Sequence, residues 1–262
     1  MIHHRKMPAT GFTLVELAIV ITIIGILIGG VLKGQQLIDQ AKLAATTSQI
    51  HQYRTAIRIF QSTYDELPGD MIDPDARIVG CSDCKAVEDR LGDGYVYDGD
   101  GRGISTISTD KNSEEIRFWL HLLKADMISG VTDAALTSEP IAWGATAPAA
   151  KIGGGFHAES GMGNCRGDAY GYIWPDNCQP NGLTFVLRQT TGGNLYNSPH
   201  YRVLTPMQAA QIDRKIDDGV PYSGDVLGYS RNIHGCMDAE TRRYPESLRD
   251  DAVCGLGISA GG

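Results

Sequence analysis

A continuous apolar stretch near the amino terminus constrains this chain more than any other feature. From Phe12 to Leu32 the only ionisable side chain is Glu16, and the 21 residues would span about 31 Å as a helix, enough to cross a bilayer core. The residues before Gly11 include Arg5 and Lys6 but no acidic residue. The positive-inside rule therefore predicts a cytoplasmic amino terminus and export of the remaining chain.

The order of these parts differs from that of an ordinary secretory signal. In such a signal the small residue at the cleavage site follows the apolar region, whereas here Gly11 precedes it. Cleavage after Gly11 would leave the apolar helix attached to the mature protein. The sequence therefore predicts a single-pass membrane anchor that survives processing.

Residues 11–16 read Gly-Phe-Thr-Leu-Val-Glu, and this segment resembles the signal of the type IV prepilins, a class that includes the pseudopilins of type II secretion. The resemblance implies that a prepilin peptidase cleaves after Gly11 and methylates the new amino terminus of Phe12. It also implies that Glu16 pairs with the terminal amine of a neighbouring subunit during assembly. An acid within a membrane is costly without a partner or function, which agrees with that role; the alternative is that Glu16 lies among the lipid headgroups.

The helix is predicted to continue to about Ser62, since the next proline is Pro68. Apolar residues recur at intervals of three and four, which predicts a face that packs against a globular domain. These residues are Leu37, Ala41, Ala44, Ile50, Tyr53, Ile57, Phe60 and Tyr64. The turn Leu67-Pro-Gly-Asp70 ends the helix, and the stretch around it is similar to a prepilin-like subfamily with this turn.

The resemblance and these patterns together predict a pilin-like α+β fold, with the long helix packed on an antiparallel sheet of about four strands. Strand-like segments lie at 169–174, 183–189 and 226–230, and helices are expected after Ser113 and at Thr205-Pro206. Residues 145–155 are small and are expected to form a loop. The predicted regions are a leader (1–11), a transmembrane helix (12–32), the amphipathic half of that helix (33–66) and an exported globular domain (67–262).

The six cysteines indicate disulfides in an oxidising compartment, although six cysteines allow fifteen pairings. We predict nearest-neighbour bridges, namely Cys81–Cys84, Cys165–Cys178 and Cys236–Cys254. The Cys81-Ser-Asp-Cys84 pair could alternatively be a redox or zinc pair. No second such pair and no suitably spaced histidine completes a zinc site in the sequence.

An aspartate- and glycine-rich run at 93–103 is the candidate for a metal site. Asp98 and Asp100 imitate the start of an EF-hand loop, but Arg102 and Thr109 stand where oxygen ligands and glutamate are needed. A calcium site of another geometry, built from Asp93, Asp98 and Asp100 with the nearby Glu114 or Glu115 as a further candidate ligand, competes with a plain series of turns. No other cofactor is expected.

Catalysis and nucleic-acid binding find no support in the sequence. None of the serine-hydrolase, zinc-protease or phosphate-loop motifs is present, and His157 and His200 look isolated, so we expect a non-enzyme. The formal charge of −8 gives no electrostatic basis for contact with phosphates.

The resemblance implies a structural subunit of a type IV pilus or related filament. The precursor would lie in the inner membrane, and the mature subunit would then join a filament in the periplasm or at the cell surface. Its partners would be other pilin subunits, the prepilin peptidase and the inner-membrane assembly platform. The alternatives are a pseudopilin of a type II secretion system and, in another class, a membrane-tethered periplasmic protein that binds calcium or another ligand.

Overall fold

The computed structural model describes residues 13–86, 91–96, 112–133, 142–162, 181–189, 202–229, 235–238, 240–246 and 251–261. Its helices are α1 (Leu14–Tyr64), α2 (Pro74–Arg77), α3 (Glu114–Lys124) and α4 (Pro206–Ile216). Its strands are β1 (Gly155–Met162), β2 (Asn181–Arg188), β3 (Val226–Tyr229) and β4 (Gly255–Ser259). The chain divides into two compact units, Met1–Ala41 and Lys42–Gly262.

The strands form a four-stranded sheet in the order β1-β2-β4-β3, in which every neighbouring pair is antiparallel. The predicted antiparallel sheet of about four strands is thus confirmed. β2 and β3 occupy segments that the sequence marks as strands, whereas β1 and β4 were not predicted. Both missed strands are rich in glycine and polar residues, which have low intrinsic strand preference. The predicted strand at 169–174 lies outside the described residues.

The core of the second unit forms on one face of α1. Ile50, Ile57 and Phe60 are almost completely buried there. The ring of Tyr53 lies edge-on to Trp119 of α3, with the ring centroids 5.2 Å apart, and edge-on to Phe156 of β1 at 5.3 Å. This part of the predicted apolar face is therefore correct.

The predicted apolar face is wrong nearer the amino terminus. Leu37, Ala41 and Ala44 are exposed, and the first buried residues of α1 are Leu43, Thr46 and Thr47. Threonine is tolerated in this interior because each hydroxyl donates to the backbone carbonyl four residues earlier, at 2.9 and 3.0 Å, so no polar atom is left unsatisfied.

Polar side chains of α1 also fix the surrounding chain. The Gln49 amide donates to the Ala149 carbonyl and accepts from the Lys151 N–H, both at 3.0 Å. The Arg54 guanidinium donates to the Ser259 carbonyl at 2.8 Å, at the end of β4. These contacts tie a loop and the last described strand to the helix.

The turn after α1 is anchored by two of its own residues. The Gly69 N–H donates to the His121 Nδ1 atom at 2.9 Å. The Asp70 carboxylate accepts from the Gly92 and Gly94 N–H groups, at 2.5 and 2.7 Å. The predicted turn therefore holds both α3 and a second, glycine-rich turn in place.

The helices of the second unit begin close to the predicted residues. Thr205 caps α4 with a reciprocal pair of hydrogen bonds to Gln208, and Pro206 is the first helical residue. Ser113 precedes α3 as predicted, but its hydroxyl makes no capping hydrogen bond. The Ser113 hydroxyl is buried and has no hydrogen-bond partner among the described residues.

Two of the three predicted disulfides are present. Cys81 is bonded to Cys84, and Cys236 is bonded to Cys254. Cys165 and Cys178 lie outside the described residues. The Cys236–Cys254 bridge joins the short 235–238 segment to the residue that leads into β4, so it fixes one end of the sheet.

Candidate functional site

Thr13 and Glu16 form a capping box at the start of α1. The Glu16 N–H donates to the Thr13 hydroxyl oxygen at 3.2 Å, and the Thr13 N–H donates to Glu16 Oε2 at 2.9 Å. The Thr13 hydroxyl also donates to Glu16 Oε2, at 2.8 Å. Two of the N–H groups that a helix start leaves without partners are satisfied in this way.

The helix after this box presents an apolar surface on all sides. Every large apolar side chain from Leu14 to Leu32 is exposed, with exposed fractions from 47% at Ile24 to 87% at Leu14. Among the described residues, α1 is the one helix long and apolar enough to cross a membrane. A helix that is apolar all round requires lipid or protein around it.

A family model described as the prokaryotic N-terminal methylation motif matches residues 6–32. The chain carries a type IV prepilin-like signal. No curated protein and no solved structure shows a significant similarity to this chain. The matched range runs from Lys6, the last basic residue before Gly11, to the end of the apolar stretch, so it includes the whole exposed apolar surface from Leu14 to Leu32.

The prepilin-like signal and the apolar helix together fit a membrane-anchored precursor of a pilin-like or pseudopilin-like protein. Glu16 lies in the first turn of the helix, where the sequence predicts a residue for assembly. The predicted cleavage and methylation residues, Gly11 and Phe12, lie outside the described residues.

The predicted calcium loop is described only at its beginning. Asp93 is part of a tight turn, in which its Oδ1 atom accepts from the Tyr95 N–H at 3.0 Å. Asp70 braces this turn through its contacts with Gly92 and Gly94, and burial raises the pKa of the Asp70 carboxyl to about 6. Asp98 and Asp100 lie outside the described residues, so the calcium site stays a prediction.

A buried cluster of charged groups lies elsewhere in the chain. His157 Nε2 is 3.1 Å from Glu115 Oε1 and 3.6 Å from Glu159 Oε2. The three side chains are at most 9% exposed. Burial disfavours the charged imidazole, but the neighbouring Glu115 and Glu159 carboxylates outweigh this effect and raise the pKa of His157 to about 9. The sequence suggested that His157 is isolated, but the structure places it between two carboxylates.

A second buried histidine has the opposite electrostatics. His121 Nδ1 accepts from the Gly69 N–H, so the proton of the neutral ring is on Nε2, which is 3.0 Å from the Cys84 carbonyl oxygen. Burial lowers the pKa of His121 to about 4. The neutral ring is a structural link between the turn after α1 and the disulfide loop.

Sequence reasoning missed the capping box and the charged cluster for different reasons. The Thr-x-x-Glu pattern of the capping box is visible at residues 13–16 and could have been used. Two of the three members of the cluster were also visible, because His157 and Glu159 are two residues apart in a strand and so share a face. Glu115 comes from 42 residues away, and no local pattern pairs it with His157.

Proposed function

We propose that this chain is a structural, non-enzymatic subunit of a type IV pilus or a related filament. It would be cleaved after Gly11, methylated on the Phe12 amine and polymerised through α1. The observation that carries the proposal is the apolar surface of α1, exposed all round from Leu14 to Leu32 and interrupted near its start by one acid, Glu16.

The apolar surface of α1 is suited both to a lipid bilayer and to the core of a filament. In the membrane precursor, lipid covers these side chains; in a filament, the helices of neighbouring subunits would cover them. Lipid tails and packed helices are both apolar, so the move from one to the other has no large hydrophobic penalty. A single helix can therefore serve first as anchor and later as filament core.

The geometry of Glu16 supports a role in subunit pairing. Both contacts that the Glu16 carboxylate makes with Thr13 use the Oε2 atom, and Oε1 has no hydrogen-bond partner among the described residues. Oε1 can thus accept from the charged amine of a neighbouring subunit without loss of the capping box. Such a charge-assisted hydrogen bond is strong in an apolar environment and would fix the register of the helices.

The test is the intact mass of the protein from its native host, measured in membranes and in material sheared from the cell surface. Loss of residues 1–11 with gain of one methyl group, and mature protein in the sheared fraction, is the expected result. Processed protein confined to the envelope would instead favour a pseudopilin of a type II secretion system. An uncleaved chain would overturn the proposal and favour a membrane-tethered binding protein.

A further inference from the structure

The charged cluster of Glu115, His157 and Glu159 lies on the side of β1 that faces away from the Tyr53 core. Phe156 packs on Tyr53, and alternate residues of a strand point to opposite faces, so His157 and Glu159 share the other face. Glu115, in the first turn of α3, reaches the same place. Two regular elements therefore hold three potential metal ligands together.

The distances among these atoms match those between the ligands of one small metal ion. One ligand atom from each of the three residues lies within 4.8 Å of the other two. The Nε2 atom of His157 is 3.1 Å from Glu115 Oε1 and 3.6 Å from Glu159 Oε2. Ligands placed about 2.1 Å from a tetrahedral zinc ion are about 3.4 Å apart. The observed distances bracket that value.

The chemistry of the three groups selects the class of ion. Metal ligation requires a neutral imidazole, so an incoming ion would displace the proton of His157 to solvent. The two carboxylates and the neutral imidazole then carry a charge of −2, which a divalent cation balances. Calcium and magnesium prefer all-oxygen ligands, whereas a nitrogen ligand with carboxylates suits zinc and its neighbours among the transition metals. Neither cysteine of the Cys81–Cys84 bridge takes part.

We propose that Glu115, His157 and Glu159 bind one divalent transition-metal ion, with zinc as the expected ion, in a buried structural site. The ion would join α3 to the outer face of β1, with water or a second carboxylate oxygen as its fourth ligand. Because the three side chains are buried, the ion would enter as the domain folds, and it would stabilise the folded state. This inference does not depend on filament assembly.

The experiment uses the full chain, expressed in zinc-supplemented medium and purified in detergent with a tag that contains no histidine. His3 and His4 are replaced by glutamine in every sample, because adjacent histidines bind zinc on their own. The test variant is Glu159→Gln, which keeps the shape of the side chain and removes a ligand charge. The matched control is Asp218→Asn, in the other cluster of acids, Asp213, Asp217 and Asp218, that could hold an ion.

Zinc content by elemental analysis and thermal unfolding with and without a chelator are the two readouts. The parent and Asp218→Asn should each contain about one zinc per chain, and Glu159→Gln at least tenfold less, as expected when a metal ligand is lost. The chelator should lower the unfolding temperature of the first two proteins and leave that of Glu159→Gln unchanged.

Three results would overturn the inference. They are a parent protein without zinc, zinc retained in Glu159→Gln, and zinc lost from Asp218→Asn. If Glu159→Gln does not fold, the parent grown with cobalt replaces it in the test. Tetrahedral cobalt bound by nitrogen and oxygen gives visible absorption without a thiolate charge-transfer band, and its absence would refute the site.

Discussion

Glu16 accepts two hydrogen bonds from Thr13 and donates one back to it, all at the first turn of α1. The same carboxylate therefore caps its own helix and is available to an amine of another subunit. These two roles make different demands on the side chain, because a capping box accepts either glutamate or glutamine, whereas an ion pair needs the charge.

Replacement of Glu16 by glutamine and by alanine should separate capping from charge pairing. Glu16→Gln keeps an oxygen for the Thr13 N–H but has no charge, whereas Glu16→Ala loses both. If the charge sets the register, both variants should be processed normally and both should be absent from sheared filaments. Immunoblots of membrane and sheared fractions measure this directly.

Normal filaments from Glu16→Gln, together with defective filaments from Glu16→Ala, would show that capping is the important role. Thr13→Val is a matched control for that outcome, since it removes the hydroxyl and leaves the carboxylate. Under the charge-pairing proposal, Thr13→Val should still assemble.

The contribution of His121 to the stability of the protein should fall in mild acid. Its folded-state pKa of about 4 lies below the ordinary value of about 6.5. The stabilising neutral form is therefore fully favoured above pH 6.5, and its contribution is lost as the pH falls towards 4. At pH 5 the loss should be about 2 kcal/mol relative to pH 8.

The variant His121→Gln isolates this effect. Its side-chain oxygen can accept from the Gly69 N–H and its amide nitrogen can donate to the Cys84 carbonyl, but it does not titrate. Asp70 and Asp213, whose pKa values burial raises to about 6, add stability as the pH falls from 6 to 4 in both proteins. Chemical denaturation in detergent should show that the change in stability from pH 8 to pH 5 is about 2 kcal/mol less favourable in the parent than in the variant. Equal changes in the two proteins would contradict the role of His121.

Gly69 should tolerate alanine far less well than another glycine in a similar backbone conformation. Gly69 has φ +88°, and a Cβ atom there would lie 2.4 Å from the Glu114 carbonyl oxygen. Gly80 has φ +77°, and a Cβ atom there would meet nothing within 4 Å. Gly80→Ala should cost about 1 kcal/mol of folding stability, from backbone strain alone. Gly69→Ala should cost at least about 3 kcal/mol, because strain and a backbone clash add.

Denaturant unfolding of both glycine variants at one pH gives the comparison. Similar small losses of folding stability in the two variants would mean that the turn after α1 can move away from α3 without cost. The close approach of Gly69 to Glu114 would then not hold the two elements together.

Local patterns were sufficient to predict the elements with strong sequence signals. The apolar stretch, the turn at 67–70 and the Thr205-Pro206 helix start each follow from a few adjacent residues. The buried face of α1 was predicted correctly at Tyr53 and Phe60, where apolar residues repeat regularly. It was wrong at Leu37 and its neighbours, because spacing alone does not show where a domain begins to cover a helix.

The remaining features depend on contacts between distant residues. β1 contains His157 and Glu159 among small and glycine residues, so its sequence has neither the apolar alternation nor the bulky residues of a typical strand. It forms a strand because Phe156 reaches the Tyr53 core and because the polar face is buried beside Glu115. The role of Gly69 likewise depends on α3, which lies far along the chain.

The two described disulfides should contribute unequally to stability. Their cysteines are 3 and 18 residues apart in sequence, and a bridge that closes a longer loop restricts the unfolded chain more. The loop-closure relation gives about 2 kcal/mol for Cys81–Cys84 and about 3 kcal/mol for Cys236–Cys254. All four cysteines are at most 4% exposed, so replacement of either pair by alanine removes a similar amount of buried surface.

The double variants Cys81→Ala/Cys84→Ala and Cys236→Ala/Cys254→Ala provide the test, by denaturant unfolding of the full chain in detergent. The second should lose about 1 kcal/mol more than the first. The reverse order would mean that the short bridge acts mainly through the folded state. In that case it would hold the Cys84 N–H against the Asp75 carboxylate, at 2.8 Å, and the Cys84 carbonyl against His121. Loss of the pH response of His121 in the Cys81→Ala/Cys84→Ala variant would identify this second mechanism, because the ring would then have lost its acceptor.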